Sequence, residues 1–256
     1  MLKRIIVFVY GVACYGVFFV TFLYAYGFVG NLVVPKSIDS PATTAFLPAL
    51  GIDLLLLGIF AVQHSVMARP WFKRLWTRII PEVAERSTYV LFASVALIAV
   101  FLYWQPLGGV VWDLKSPVAL TLTYMVFGIG FALVLVSTFL INHFDLFGLR
   151  QVTLFLQGTP YTKMNFRTPF FYRYVRHPLY LGFMLSFWST PRMTGVHLLF
   201  AVMTTAYMLI AIQFEEKDLL NELGDNYARY RESVPMLLPS VSGYQTPTAK
   251  PVSRIA

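Results

Sequence analysis

The sequence predicts an all-α, polytopic membrane helical bundle of about six spans. Three observations predict it. Apolar residues make up 57% of the 256 residues and charged ones only 12%, which leaves too little polar surface to cover a water-soluble domain. The apolar residues gather into runs of about 20, the length needed to cross about 30 Å of hydrocarbon. Tyr and Trp collect at the ends of these runs, as in Tyr24-Ala25-Tyr26 and Tyr103-Trp104, where an amphipathic ring sits at headgroup level.

Four runs stand on their own: Ile5 to Val29, Ala45 to Met67, Thr88 to Trp104 and Pro117 to Ile141. The first has full spanning length rather than the short core of a signal peptide, so it is expected to be a retained helix. The fifth and sixth runs, Leu179 to Thr190 and Val196 to Phe214, are separated only by Pro191-Arg192-Met193-Thr194-Gly195. Leu179 to Thr190 is short for a span, so the last two are expected to form a tight or partly re-entrant hairpin. The polar stretch from Glu215 to Arg231 then reads as a short C-terminal amphipathic helix, and residues 240–256 as a disordered tail. No internal repeat and no separate soluble domain is apparent, because no polar stretch is long enough to bury its own core.

Lys and Arg set the orientation. Lys3 and Arg4 precede the first run, Arg69, Lys73, Arg74, Arg78 and Arg86 crowd the loop after the second, and Arg150, Lys163, Arg167, Arg173 and Arg176 follow the fourth. The intervening loops hold only Lys36 and only Lys115. By the positive-inside rule the basic loops and both termini are cytosolic. The net charge of +8 is therefore topological and no nucleic-acid partner is expected; the lipid bilayer is the expected surrounding. Cys14, the single cysteine, lies inside the first run and reads as packing.

Ionisable groups at the edge of hydrocarbon are functional candidates by default, because burying them there is costly. One group is Arg173-Tyr174-Val175-Arg176-His177-Pro178-Leu179-Tyr180-Leu181-Gly182, where Pro178 starts a helix and the residues before it are pushed into extended geometry. Free backbone N–H groups at such a start suit a hydrogen-bond-accepting or anionic ligand. The other is Glu215-Glu216-Lys217-Asp218, directly after an apolar span. Acidic residues leaving a membrane helix are commonly just solvated. Beside a basic turn one hairpin away they make a bipolar pocket suited to a zwitterion.

Together these segments resemble the isoprenylcysteine carboxyl methyltransferase-like family. The resemblance rests on Arg176-His177-Pro178-Leu179-Tyr180, Glu215-Glu216, Gly224-Asp225-Asn226-Tyr227-Ala228-Arg229-Tyr230 and Val234-Pro235, and covers roughly the last third of the chain. It implies S-adenosylmethionine as methyl donor, held by Arg176, His177, Pro178, Tyr180, Leu181, Glu215, Glu216, Tyr227, Tyr230 and Arg231. The earlier segments Gln63-His64-Ser65-Val66-Met67-Ala68-Arg69, Trp71-Phe72-Lys73 and Asn142-His143-Phe144-Asp145-Leu146-Phe147-Gly148-Leu149-Arg150-Gln151 resemble the bacterial methanethiol S-methyltransferases and the related NnrU-type membrane proteins. That implies the inner membrane of a bacterium with the active site facing the cytosol. It also implies one membrane methyltransferase domain: residues 1–150 shaping the acceptor site, residues 165–239 holding the cofactor.

If the acceptor is a small thiol, the chemistry needs a base, because an alkanethiol is mostly protonated at neutral pH and only the thiolate attacks well. Candidates at the cytosolic helix ends are His64, with Gln63 and Ser65 beside it to orient it, and the His143/Asp145 pair, in which Asp145 either takes the proton or fixes a histidine tautomer. The competing readings are a helix-end histidine bonded to carbonyls or water, and an Asx turn shared with Asn142. His197 falls at the non-cytosolic start of the last span and reads as an interface residue. No His-x-x-x-His or clustered Cys/His spacing occurs, so no metal is expected. The main expectation is methylation of methanethiol to dimethyl sulfide. The rivals are another acceptor, such as a prenylcysteine carboxylate or a lipid amine, and a non-enzymatic transport or sensing role.

Overall fold

The computed structural model describes residues 1–163 and 166–244. The expected tail beyond residue 244 and the expected domain boundary at residue 165 lie outside the described residues. Among the described residues five helices are long and apolar enough to cross a membrane: α1 (Leu2–Gly30), α2 (Phe46–Ala68), α4 (Glu85–Tyr103), α5 (Pro117–Ile141) and α9 (Gly195–Leu223). Between and after them lie α3 (Pro70–Trp76), α6 (His143–Leu146), α7 (Leu149–Gln157), α8 (Pro178–Trp188) and α10 (Asp225–Ser233). Large apolar side chains such as Ile6, Val20, Leu55, Val62, Leu122 and Ile129 stay exposed, which marks a surface that faces lipid tails instead of water.

α8 is the short member of the expected hairpin. Its 11 residues reach about 16 Å, roughly half the hydrocarbon thickness. It lies against α5 at very close range. A Cβ on Gly182 would come 2.6 Å from the Gly130 carbonyl oxygen, and one on Gly130 would collide with the Ser186 hydroxyl. The Ser186 hydroxyl donates to the Phe127 carbonyl oxygen at 3.0 Å. Small residues on both helices let the backbones touch, as membrane helices without a hydrophobic drive between them require.

The end of the bundle away from the basic loops is closed by features that sequence did not foretell. Val110–Asp113 (β1) pairs antiparallel with Arg192–Thr194 (β2). Both strands are too short to give a periodic signal, and the positive φ of Gly108 and Gly109 makes the preceding turn. Beneath them His197 is fully buried, which corrects its assignment to the interface. Its Nδ1 lies 2.8 Å from Asp39 Oδ2. Asp39 also accepts from the Thr194 hydroxyl and, at 2.7 Å, from the Asn31 amide. Asn31 caps α1 in the left-handed region (φ 56°), so this cluster ties the end of α1, the 31–44 loop and the start of α9 into one unit. Burial alone would raise the Asp39 pKa, but the bonds from His197, Thr194 and Asn31 outweigh it and hold the carboxyl below the usual range.

The stretch from Asp225 to Ser233 is helical as expected, and Tyr227, Tyr230 and Val234 bury against Phe166, Leu219, Leu220 and Leu223. The first residues after Pro239 are also held: Ser240 N–H donates to the Tyr174 carbonyl oxygen at 2.9 Å and Tyr244 N–H to that of Arg173 at 2.8 Å.

Candidate active site

The polar residues of interest meet at the opposite end, where the C-terminal ends of α2 and α9 and the N-terminal ends of α4 and α8 come together. α9 places its acidic pair by length. The rise from Gly195 to Glu215 is about 30 Å, so a helix starting at one face delivers Glu215 and Glu216 to the other. Arg69 Nη1 binds Asp218 Oδ2 at 3.0 Å and the Ser65 hydroxyl lies 3.0 Å from that of Tyr207. These contacts fasten α2 to α9 beside His64.

Arg176 and His177 both converge on Glu216. Arg176 Nε donates to Glu216 Oε1 at 2.7 Å, and His177 Nε2 sits 3.0 Å from the same oxygen. His177 and Glu216 are buried. Arg176 Nη1 also donates to the carbonyl oxygens of Arg231 and Val234. The backbone N–H groups of Arg176 and His177, expected to be open to a ligand, donate to the carbonyl oxygens of Pro235 (3.0 Å) and Met236 (3.2 Å). The turn is thus tied to the C-terminal segment through its own amides, because the Val234-Pro235 stretch runs extended alongside it. Tyr230 donates to the Tyr172 carbonyl oxygen at 2.6 Å, and burial raises the Tyr227 and Tyr230 phenol pKa values, so both are packed, neutral rings. Pro178 is buried, Leu181 is half-buried and the Arg231 side chain is exposed.

Glu215 is turned differently. It is exposed, one of its oxygens accepts from the Tyr180 hydroxyl at 3.0 Å, and its charge reaches Tyr89 as well as Tyr180. Tyr89, at the start of α4, places its hydroxyl 3.1 Å from His64 Nδ1 and 3.0 Å from Nε2. Phe60 stacks under the His64 ring at 5.2 Å. Since one hydroxyl holds only one nitrogen at a time, and no other hydrogen bond to His64 occurs among the described residues, one ring nitrogen is left without a partner. His64, Tyr89, Tyr180, Tyr207 and Glu215 form one electrostatically connected group.

The remaining candidates lie elsewhere. His143 is buried, with Nδ1 2.8 Å from the Thr138 hydroxyl and Nε2 2.8 Å from that of Tyr15, and its ring stacks on Phe139 at 4.1 Å. Both nitrogens are occupied, and burial pushes its pKa below the ordinary histidine value. Phe147 touches the His143 ring at 4.8 Å and also packs on the Met67, Tyr89 and Val90 cluster, which separates His143 from His64. Asp145 binds Arg150 at 2.9 Å, and its N–H donates to the Asn142 side chain at 3.1 Å, the Asx arrangement. Among the described residues no hydrogen bond joins Asp145 to His143. Gln63 turns its amide to Met67 Sδ at 3.1 Å and buries its Oε1 without a partner; it does not orient His64. Tyr89 does, and sequence reading missed it. The available signal was the polar run Ser87-Thr88-Tyr89 opening an apolar span at the basic end. Among the described residues no group of three or more His, Cys, Asp and Glu side chains gathers as a metal site would require.

Residues 118–226 match the family model described as phospholipid methyltransferase. The chain is 55% identical over 240 residues to a methanethiol S-methyltransferase of Crocosphaera subtropica, covering 94% of each chain. It is 53% identical over 238 residues to a methanethiol S-methyltransferase of Mycobacterium tuberculosis, covering 93% of this chain and 98% of that one. It is also 28% identical over 186 residues to nurim of Xenopus laevis, covering 68% of this chain and 64% of that one. No solved structure matches the chain.

Proposed function

We propose, on the premise that the chain belongs to the methanethiol S-methyltransferase family, that this membrane methyltransferase methylates methanethiol to dimethyl sulfide with S-adenosylmethionine as donor. The observation that carries the reading is likeness above 50% along nearly the whole chain, acceptor segments included. The Lys/Arg distribution supports an orientation with this end of the bundle in the cytosol, and the bacterial relatives support a bacterial inner membrane.

The residues fit such a donor. Among the described residues Glu215 keeps one carboxylate oxygen without a partner, bonded through the other to Tyr180 and within electrostatic reach of Tyr89, and a carboxylate near aromatic side chains suits a ligand with positive charge. When bound, the donor supplies an electrophilic methyl group on a positively charged sulfur. His64 takes the thiol proton on the nitrogen that Tyr89 leaves open, and Tyr89 fixes the ring and its tautomer through the other. Phe60 and the apolar ends of α2 and α4 keep water from the thiolate. Arg176, His177 and Glu216 hold the hairpin to the C-terminal segment and so set where Glu215 and Tyr180 point. His143 and Asp145 are assigned to packing and to the surface.

Purified protein supplied with methanethiol and S-adenosylmethionine is expected to release dimethyl sulfide, detected in headspace gas. Transfer to a prenylcysteine peptide or a lipid amine, with no dimethyl sulfide, would overturn the acceptor assignment.

A further inference from the structure

Five basic side chains at the site end are at least partly withdrawn from solvent: Arg69, Lys73, Arg86, Arg150 and Arg176. Arg69, Arg150 and Arg176 are each paired with a carboxylate, on Asp218, Asp145 and Glu216. Lys73 and Arg86 are not. Among the described residues the Lys73 ammonium has no hydrogen bond and no carboxylate within 4.0 Å. Arg86 donates through Nε to the Leu146 carbonyl oxygen at 2.8 Å and lies over the Tyr89 ring at 5.3 Å, with both terminal nitrogens left over.

Lys73 projects from α3, whose neighbouring Phe72 packs on the Met67, Tyr89 and Val90 cluster, so α3 is fixed against the start of α4. The charges within its reach are Arg86, Glu85, Arg69 and Asp218; Asp218 is already bound to Arg69, and Glu85 stands beyond ion-pair distance. Burial and the adjacent Arg86 charge push the Lys73 pKa down. Two like charges brought together without a carboxylate in ion-pair contact repel each other, and an anion between them relieves the repulsion. Arg86 also lies within electrostatic reach of His64, so the surplus positive charge borders the reaction group.

We propose that Lys73 and Arg86 form an anion subsite that takes the carboxylate of the methyl donor's amino-acid arm. The proposal rests on the donor reading above. A donor of that class carries one carboxylate and two positive groups. Glu215 lies on the side suited to positive charge, and Lys73 with Arg86 on the side suited to negative charge. Glu215 and Arg86 each reach Tyr89, which bonds His64, and charges of opposite sign around one reaction centre can orient a zwitterion there. The same cations would also suit the phosphate of an anionic lipid headgroup, and the test separates the two sources.

Full-length protein in nanodiscs of zwitterionic lipid is titrated calorimetrically with S-adenosylhomocysteine and with 5′-methylthioadenosine, which lacks the amino-acid arm. Lys73→Met is expected to raise the Kd of S-adenosylhomocysteine about tenfold, the size of one lost charge-assisted hydrogen bond, and to leave that of 5′-methylthioadenosine unchanged. Lys73→Arg restores the first. Unchanged binding of the second shows that the variant is folded; should Lys73→Met not fold, Lys73→Gln takes its place. Equal losses for both ligands, or none for either, overturn the subsite. So does an effect of Lys73→Met that appears only in discs containing phosphatidylglycerol, which would assign the cations to lipid. If the unsubstituted protein binds neither ligand, the donor reading falls and the subsite with it.

Discussion

The two ends of the bundle hold similar residue types in opposite states. At the sheet-capped end, Asp39, His197, Thr194 and Asn31 are tied together through the Asp39 carboxylate, and Asp39, Thr194 and His197 are buried, so that even the unpaired His197 Nε2 is sealed from solvent. At the other end, among the described residues, His64 has one bonding partner for two nitrogens, Glu215 uses one oxygen of two, and the Lys73 ammonium has no hydrogen bond, and all three are open to solvent at least in part. Polar groups bonded to one another and sealed from solvent fix a structure. Partly exposed ones with valence to spare are what a ligand meets. The histidine–carboxylate pair that looks most like catalytic machinery on paper, His197 with Asp39, is therefore assigned to holding the fold.

The sharpest way to break this comparison is at Asp39. Asp39→Ala removes the acceptor shared by His197, Thr194 and Asn31 and leaves them unpaired in a buried site, which costs about 3–5 kcal/mol. The thermal midpoint in detergent is expected to drop by several degrees, while dimethyl sulfide formation per folded molecule stays within about twofold. A stable variant with lost turnover would move the chemistry to the other end. The same carboxyl predicts an acid limit. Its folded pKa lies below its unfolded value, so its stabilisation is complete above about pH 4. It disappears as the pH falls through the folded pKa.

The converse test is His64→Ala. Loss of the proton acceptor is expected to cut kcat at least about a hundredfold, about 2.7 kcal/mol of barrier, with a thermal midpoint near that of the parent. Raising the assay pH towards the pKa of the thiol should recover part of the rate, because the solvent then supplies the thiolate. A variant as fast as the parent at neutral pH would remove His64 from the mechanism. Between the two ends, Gly182→Ala forces a methyl group into the Gly130 carbonyl, an overpacking cost of about 1–3 kcal/mol. It is expected to lower stability first and turnover second, through the displaced Tyr180.

Much of this organisation was legible in the sequence. Run length and Lys/Arg alternation gave the spanning helices and the basic end, because both follow from hydrocarbon thickness and charge cost alone. The Arg176-His177-Pro178 turn and the Glu215-Glu216 pair could be brought together because only a short hairpin separates them. Which carboxylate faces which partner was not legible. Glu215 and Glu216 are adjacent, but a step of about 100° around a helix turns one towards Arg176 and the other towards Tyr180. The same loss of information hid Tyr89, which approaches His64 from a different helix 25 residues away. It also promoted His143, whose sequence neighbours say nothing of Tyr15.

His143 gives the finest test of the comparison, because it sits at the reactive end but is buried like a residue of the sealed end. With both nitrogens occupied and the ring buried, its protonated form is disfavoured in the folded protein. The unfolded chain takes up the proton near the ordinary value of about 6.5, and the folded chain only at lower pH. Stability from this residue is thus complete above about pH 6.5 and is lost as the pH falls towards the folded pKa. His143→Gln, neutral throughout, is expected to cost about 1 kcal/mol at pH 7.5 through its poorer fit to Thr138 and Tyr15. Its midpoint should also fall less steeply than the parent's as the pH drops below about 6.5. Turnover should remain within about threefold. Parallel pH slopes would show that His143 does not resist protonation, and a hundredfold loss of kcat at unchanged stability would return it to the chemistry in place of His64.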